Sequence, residues 1–314
     1  MEQGANGVVA PKGLVWAAFA AIYLIWGSTY YFIREALDGF TPMLLGGLRF
    51  VTAGVLMLTW CALRGIPMRP GPVGLKHASI TGLTLLLFGN GCVVWAEQVL
   101  PSGVVAIMVA IVPLFMVLLD RSNWNSNLRS PTTILGVLGG FAGVLLLFSD
   151  RMGAPEPGVD RGAEMAGLGL LVFCSLSWAS GSLYAKHRPS PLPAVSSTGW
   201  QMLVGGVLFL IVATVRGEWS AMKWDAVPSH AWFGLAYLML FGSIVAFTAY
   251  VWLLSVRPAT QVSTYAYVNP VVAVLLGASL AHEHITAREL IGLGVILGSV
   301  LLINLAKYRS SRSA

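Results

Sequence analysis

Charge is what this chain has least of. Asp, Glu, Lys and Arg make up only 10% of its 314 residues, against about 25% in a soluble domain. So few charges cannot cover a water-facing surface of this size, which excludes an ordinary soluble protein and implies an integral membrane protein in contact with lipid. Cysteine is as sparse: Cys61, Cys92 and Cys174 each lie inside an apolar run and form no disulfide framework. No GxxxxGK[ST] loop is present, so ATP hydrolysis of that kind is not built in. No GxSxG nucleophile and no pair of intramembrane aspartates occurs, and the HExxH frame that His282-Glu283 could open fails at Thr286. An enzyme is therefore not expected, nor a cofactor or metal. The net charge of +6 comes from basic residues in short loops, with no basic domain, so nucleic acid is not an expected partner.

Apolar runs fill the rest. A helical span needs about 20 mostly apolar residues. Runs at 13–32, 43–63, 77–98, 102–119, 132–148, 165–184, 195–215, 231–254, 260–278 and 289–305 predict an all-α bundle of ten transmembrane helices. Lys and Arg favour the cytoplasmic side of short loops. With the N-terminus inside, the inner segments hold Lys12, Arg64, Arg69, Lys76, Arg121, Arg129, Lys186, Arg188, Arg257, Lys307, Arg309 and Arg312. The outer ones hold Arg34, Arg151, Arg161, Arg216, Lys223 and Arg288. Both termini are thus expected in the cytoplasm.

The runs repeat. Gly27-Ser28-Thr29-Tyr30 matches Gly181-Ser182-Leu183-Tyr184, and Arg64-Gly65 matches Arg216-Gly217. Phe88-Gly89 matches Phe241-Gly242, and Gly139 with Gly143 matches Gly294 with Gly298. Pro101 and Pro113 bracket the fourth run as Pro258 and Pro270 bracket the ninth. These matches predict a repeat over 13–148, a polar linker over 149–164 and a second repeat over 165–305. Five spans per repeat invert the second relative to the first, a common build for secondary transporters with a midplane site. The glycine pairs fit tight helix packing or a homodimer face.

Several of these residues also resemble a known family. They are Ile25-Trp26-Gly27-Ser28-Thr29-Tyr30, Leu48-Arg49-Phe50, Gly89-Asn90 with Glu97, Pro101-Ser102-Gly103, and Tyr265-Ala266-Tyr267-Val268-Asn269-Pro270 with Glu283. The chain resembles the drug/metabolite transporter superfamily, in particular bacterial exporters with two EamA repeats. The resemblance implies ten helices, cytoplasmic termini, a central cavity, and export of small metabolites from the bacterial inner membrane by alternating access. It also implies an acid after the fourth span, where this chain has Asn123-Trp124-Asn125-Ser126-Asn127 instead. Amino acids or amphipathic drug-like compounds are the expected substrates. A lipid flippase or a non-catalytic membrane scaffold is the alternative.

The candidate site residues sit near the middle of the spans. Arg49 is the one basic residue well inside a span, where a cation costs about 2.5–3.5 kcal/mol on insertion scales. It either contacts an anion or pairs with Glu97, which is also the candidate for ion coupling. Asn90 lies on the face of Glu97 and at the depth of Arg49. Trp16, Tyr23, Trp26 and Tyr30 fall within an arc of about 80° at 100° per residue, a cavity wall or an interfacial belt, with Trp26 and Tyr30 the cavity candidates. Gln261, Thr264, Tyr265 and Asn269 form a polar arc beside Pro270, whose missing N–H leaves the Ala266 carbonyl without its helical donor. Trp178 stands in a serine-rich run that suits close packing or a cavity wall. Pro113, Pro270, Gly27 and Gly181 are the hinge candidates.

Overall fold

The apolar runs fold as helices whose ends sit where local chemistry puts them. A computed structural model describes residues 10–100, 105, 108–147, 160–280 and 287–310, with no strand among the described residues. The main helices are α1 (Lys12–Leu37), α2 (Pro42–Leu63), α3 (Gly71–Ala96), α4 (Val112–Leu119) and α5 (Pro131–Leu147). They continue with α6 (Arg161–His187), α7 (Ala194–Val215), α8 (Ser229–Val256), α9 (Tyr265–Leu280) and α10 (Ala287–Ser310). Among the described residues six are long and apolar enough to cross a membrane: α1, α2, α3, α6, α7 and α8. Pro101-Ser102-Gly103, Glu283 and most of the expected linker lie outside the described residues.

Pro42 opens α2, where its missing N–H leaves nothing unsatisfied. Asp160 caps α6 by accepting from the N–H groups of Gly162 (2.9 Å) and Ala163 (3.3 Å), so the helix starts ahead of residue 165. α2 and α7 end alike. Gly65 (φ 64°) and Gly217 (φ 69°) follow Arg64 and Arg216 in the left-handed region that only glycine enters freely.

Lipid gives apolar helices no hydrophobic reason to associate, so contact depends on close approach at small residues. α2 lies against α7 in this way. A Cβ on Gly54 would stand 2.7 Å from the Leu203 nitrogen, and one on Gly206 2.5 Å from the Val51 nitrogen. Gly46 meets Phe209 and Gly199 meets Leu58, so the contacts rise along α2 as they descend α7, and the helices run antiparallel. α5 and α10 pack by the same rule: Gly136 meets Ile303, Gly139 meets Ser299 and Gly143 meets Ile296. The matching Gly294 and Gly298 of α10 meet nothing within 4 Å, so the two glycine pairs have different roles.

Two features depart from the sequence expectation. α3 and α8 both widen into π-helical turns, over Gly82–Asn90 and Leu238–Phe247. The prolines also differ. Pro113 stands in the first turn of α4, whereas Pro270 lies inside α9 without breaking it. The chain is interrupted earlier, between the short helix Ala259–Val262 and α9. There the hydroxyls of Ser263 and Thr264 bond back to the carbonyls of Thr260 (3.0 Å) and Gln261 (2.7 Å), an alternative to the helical ladder. Gly27 and Gly181 fall in unbroken helices. Each is a point of close packing, Gly27 against Val272 and Gly181 against Thr84.

Candidate functional site

Helices from both halves of the chain surround one cavity of about 70 Å³. On that scale a water needs roughly 10–15 Å³, so the space holds several. Its floor is aromatic. The Trp26 ring meets those of Tyr265 (4.9 Å), Tyr250 (5.0 Å), Trp178 (5.6 Å) and Phe247 (5.9 Å), mostly edge-on or tilted. Each such contact is worth about 0.5–1.5 kcal/mol beyond burial. The two indoles are also anchored by hydrogen bonds: Trp26 Nε1 donates to the Gly242 carbonyl (3.1 Å) and Trp178 Nε1 to the Tyr250 hydroxyl (3.0 Å).

The π-turns place these anchors. Widened turns present carbonyls that a regular helix would use internally. Gly242 offers its carbonyl to Trp26, and Gly89 offers its own to the Cys174 thiol (3.0 Å). Both positions need glycine. A Cβ on Gly89 would lie 2.7 Å from the Trp178 ring, and one on Gly242 2.9 Å from Arg49 Nη2.

Above the floor the walls turn polar. Arg49 is 4% exposed and donates from Nε to Ser243 Oγ (2.7 Å), with its guanidinium over the Phe50 ring. The expected pair with Glu97 does not form. The Glu97 carboxylate is instead influenced by Arg34 of α1, one helix away, and both its oxygens are buried without a hydrogen-bond partner. Asn90 and Asn269 line the cavity too, and each has a buried carbonyl oxygen with no partner. Tyr30 stands beside Asn269.

Seven residues singled out in the sequence thus meet here: Trp26, Tyr30, Arg49, Asn90, Trp178, Tyr265 and Asn269. Thr264 and Gln261 do not line it. Thr264 is buried below the floor, where its hydroxyl bonds that of Tyr23 (2.6 Å). Trp16 is 73% exposed, an outward-facing aromatic. Sequence reasoning missed Thr29, Cys174, Ser243, Phe247 and Tyr250. Ser243 had a signal, because it follows Phe241-Gly242 as Asn90 follows Phe88-Gly89. Thr29 stood within the Gly27-Ser28-Thr29-Tyr30 motif, and Cys174, Phe247 and Tyr250 had no signal, being ordinary residues on helix faces that only packing distinguishes.

The lining residues of α1, α2 and α3 place the cavity toward the end of the bundle that holds Leu37, Pro42 and Ala96. At the opposite end, side-chain bonds join neighbouring helices. Asp120, 3% exposed, accepts from Ser122 (2.9 Å) and Asn123 (3.0 and 3.1 Å), and its Oδ1 lies 3.0 Å from His187 Nε2. Lys186 Nζ donates to the carbonyls of Leu254 (3.0 Å) and Arg257 (2.6 Å), capping the end of α8.

With that geometry in hand, comparison with known proteins is decisive on kinship. The sequence matches the EamA-like transporter family over residues 11–149 and again over 165–305. The chain belongs to that family. It is 40% identical over 300 residues to a protein of Escherichia coli strain K12 named "Uncharacterized inner membrane transporter YedA", covering 94% of this chain and 92% of that one. It is 26% identical to "Protein PecM" of Dickeya dadantii, over 89% of this chain and 88% of that one. It is 24% identical to "Uncharacterized transporter YoaV" of Bacillus subtilis, over 90% and 91%. A solved crystal structure at 19% identity superposes with a TM-score of 0.72, covering 96% of this chain and 99% of that one, which shows a shared fold. This EamA-family chain is therefore a multi-pass inner-membrane protein with a transporter's role.

Proposed function

We propose that this chain is a secondary transporter that exports small amphipathic metabolites, such as amino acids, across the bacterial inner membrane. It does so by alternating access between two inverted five-helix repeats, ten spans in all, with both termini in the cytoplasm. The observation that carries this reading is the cavity itself: polar walls over an aromatic floor, drawn from both halves of the chain. The antiparallel pairing of α2 with α7 and of α5 with α10 supports the inversion, because equivalent helices of inverted repeats meet head to tail. On this topology the Asp120–His187 end faces the cytoplasm and the cavity faces outward. Substrate would enter from the other side once the ties at Asp120 and Lys186 part. Glu97 is the candidate coupling group, since a buried carboxylate without a donor is far easier to keep protonated than charged.

The test is flux in proteoliposomes. Purified protein should release entrapped labelled tryptophan or leucine faster than protein-free vesicles, and Asn269→Leu should slow release several-fold while folding normally. Release no faster than from empty vesicles, across a broad amino-acid panel, would sink the reading.

A further inference from the structure

The cavity holds a buried cation that no carboxylate among the described residues neutralises. Arg49 makes one hydrogen bond, from Nε to Ser243. A guanidinium has five N–H donors in a fixed fork, so the terminal amino groups are left to the cavity that the side chain lines. No carboxylate lies in ion-pair range of it among the described residues. Burying an isolated charge is costly unless something pairs with it. A membrane helix therefore carries Arg at such a depth only where a partner arrives from outside the chain or the charge has a task.

The surroundings fix the geometry of that partner. Ser243 holds one edge of the guanidinium and the Phe50 ring lies under it, 4.7 Å from the central carbon, so the fork cannot swing freely. Gly242 packs directly behind Nη2. The two unpartnered amide oxygens, of Asn90 and Asn269, line the same space as acceptors for an N–H or O–H group. Trp26, Trp178, Phe247 and Tyr265 line the cavity with aromatic, largely apolar surface, and Tyr250 packs behind them. An aromatic floor alone would welcome an organic cation, but Arg49 in the wall opposes one.

We infer that the cavity selects organic anions: a carboxylate bound by the Arg49 fork, on a planar apolar body resting on the aromatic floor. A polar substituent bonds the Asn90 and Asn269 amides, and permanent cations are turned away. This rests on the transport reading only for calling the ligand a substrate.

Three probes with one ring and different charge test it on the full-length protein in detergent: indole-3-propionate, tryptophan and tryptamine. Calorimetry should find saturable binding of the anion and of the zwitterion, with the cation weaker by about tenfold or more. Arg49→Gln should weaken indole-3-propionate by a similar factor and narrow the gap between anion and cation, and Arg49→Lys should recover part of the loss. Tryptamine binding as tightly as indole-3-propionate overturns the inference, as does absence of binding by all three, or anion binding unchanged in Arg49→Gln. The wild-type series decides the matter even if the variants fail to fold. Vesicle flux of tryptophan with no charge preference in binding would remove the anion assignment and leave transport standing.

Discussion

Arg49 and Gln201 occupy one position in two copies. Each lies seven residues after its helix begins, at Pro42 and Ala194, and each is buried, at 4% and 2% exposure. Their surroundings share nothing. Arg49 reaches a cavity and bonds Ser243. Gln201 sits where α7 passes so close to α3 that a Cβ on Gly82 would stand 2.9 Å from its backbone oxygen, and its side-chain Nε2 finds no partner. α2 and α7 share their left-handed caps and the close approach at Gly54 and Gly206, but the cavity lies toward one end. The other end carries buried ties at Asp120. On the cavity side the corresponding pair, Asp38 with His230 at 3.2 Å, is about half exposed on both partners. The two ends of the bundle are therefore unlike.

The sharpest way to break this comparison is at the glycines. Gly54→Val and Gly206→Val each drive a side chain into backbone atoms that cannot move aside, so both should lose a monodisperse peak in detergent chromatography. Gly294→Val and Gly298→Val, in the motif that looks equivalent to Gly139 and Gly143, point into open space and should leave that profile unchanged.

Next in size is Arg49 against Gln201. Arg49→Met removes an uncompensated buried charge and should leave thermal stability equal or higher while abolishing flux. Gln201→Met should gain stability as well, by about 1 kcal/mol, because one buried orphan donor disappears, but it should leave flux within about twofold, a margin well under 1 kcal/mol. Melting temperature and vesicle flux, measured side by side, separate the two.

The ends come third. Asp120→Ala strips acceptors from Ser122, Asn123 and His187, and should cost about 1–3 kcal/mol in a thermal melt while raising thiol labelling of cysteines placed near Leu254. Asp38→Ala removes an exposed pair and should shift stability by no more than about 0.5 kcal/mol. Equal effects at the two ends would erase the asymmetry.

Much of this was legible beforehand, for identifiable reasons. Low charge and long apolar runs can be read without knowing any contact, and so can the repeat that matches Arg64-Gly65 with Arg216-Gly217. The cavity was partly legible, because Arg49, Asn90 and Asn269 are polar groups at depths where lipid penalises them. The π-turns were not. A wider turn leaves the apolar pattern of α3 and α8 almost unchanged, and the contacts at these turns, Gly89 with Trp178 and the Gly242 carbonyl with Trp26, join residues far apart in sequence. Pro270 is a related case. Proline removes one N–H wherever it sits, but whether the helix breaks there depends on its neighbours, and here Ser263 and Thr264 supply the alternative bonds earlier.

The sequence by itself determined that this protein lives in a membrane, that its halves are related, and which kin it has. Those properties are sums over many residues, and no single contact can change them. Only the tertiary structure decided that Arg49 answers to Ser243 rather than to Glu97, that five rings from four helices make one floor, and that the two ends of the bundle differ. Such outcomes depend on distances of a few ångströms between segments some two hundred residues apart, and periodicity along one helix carries no record of them.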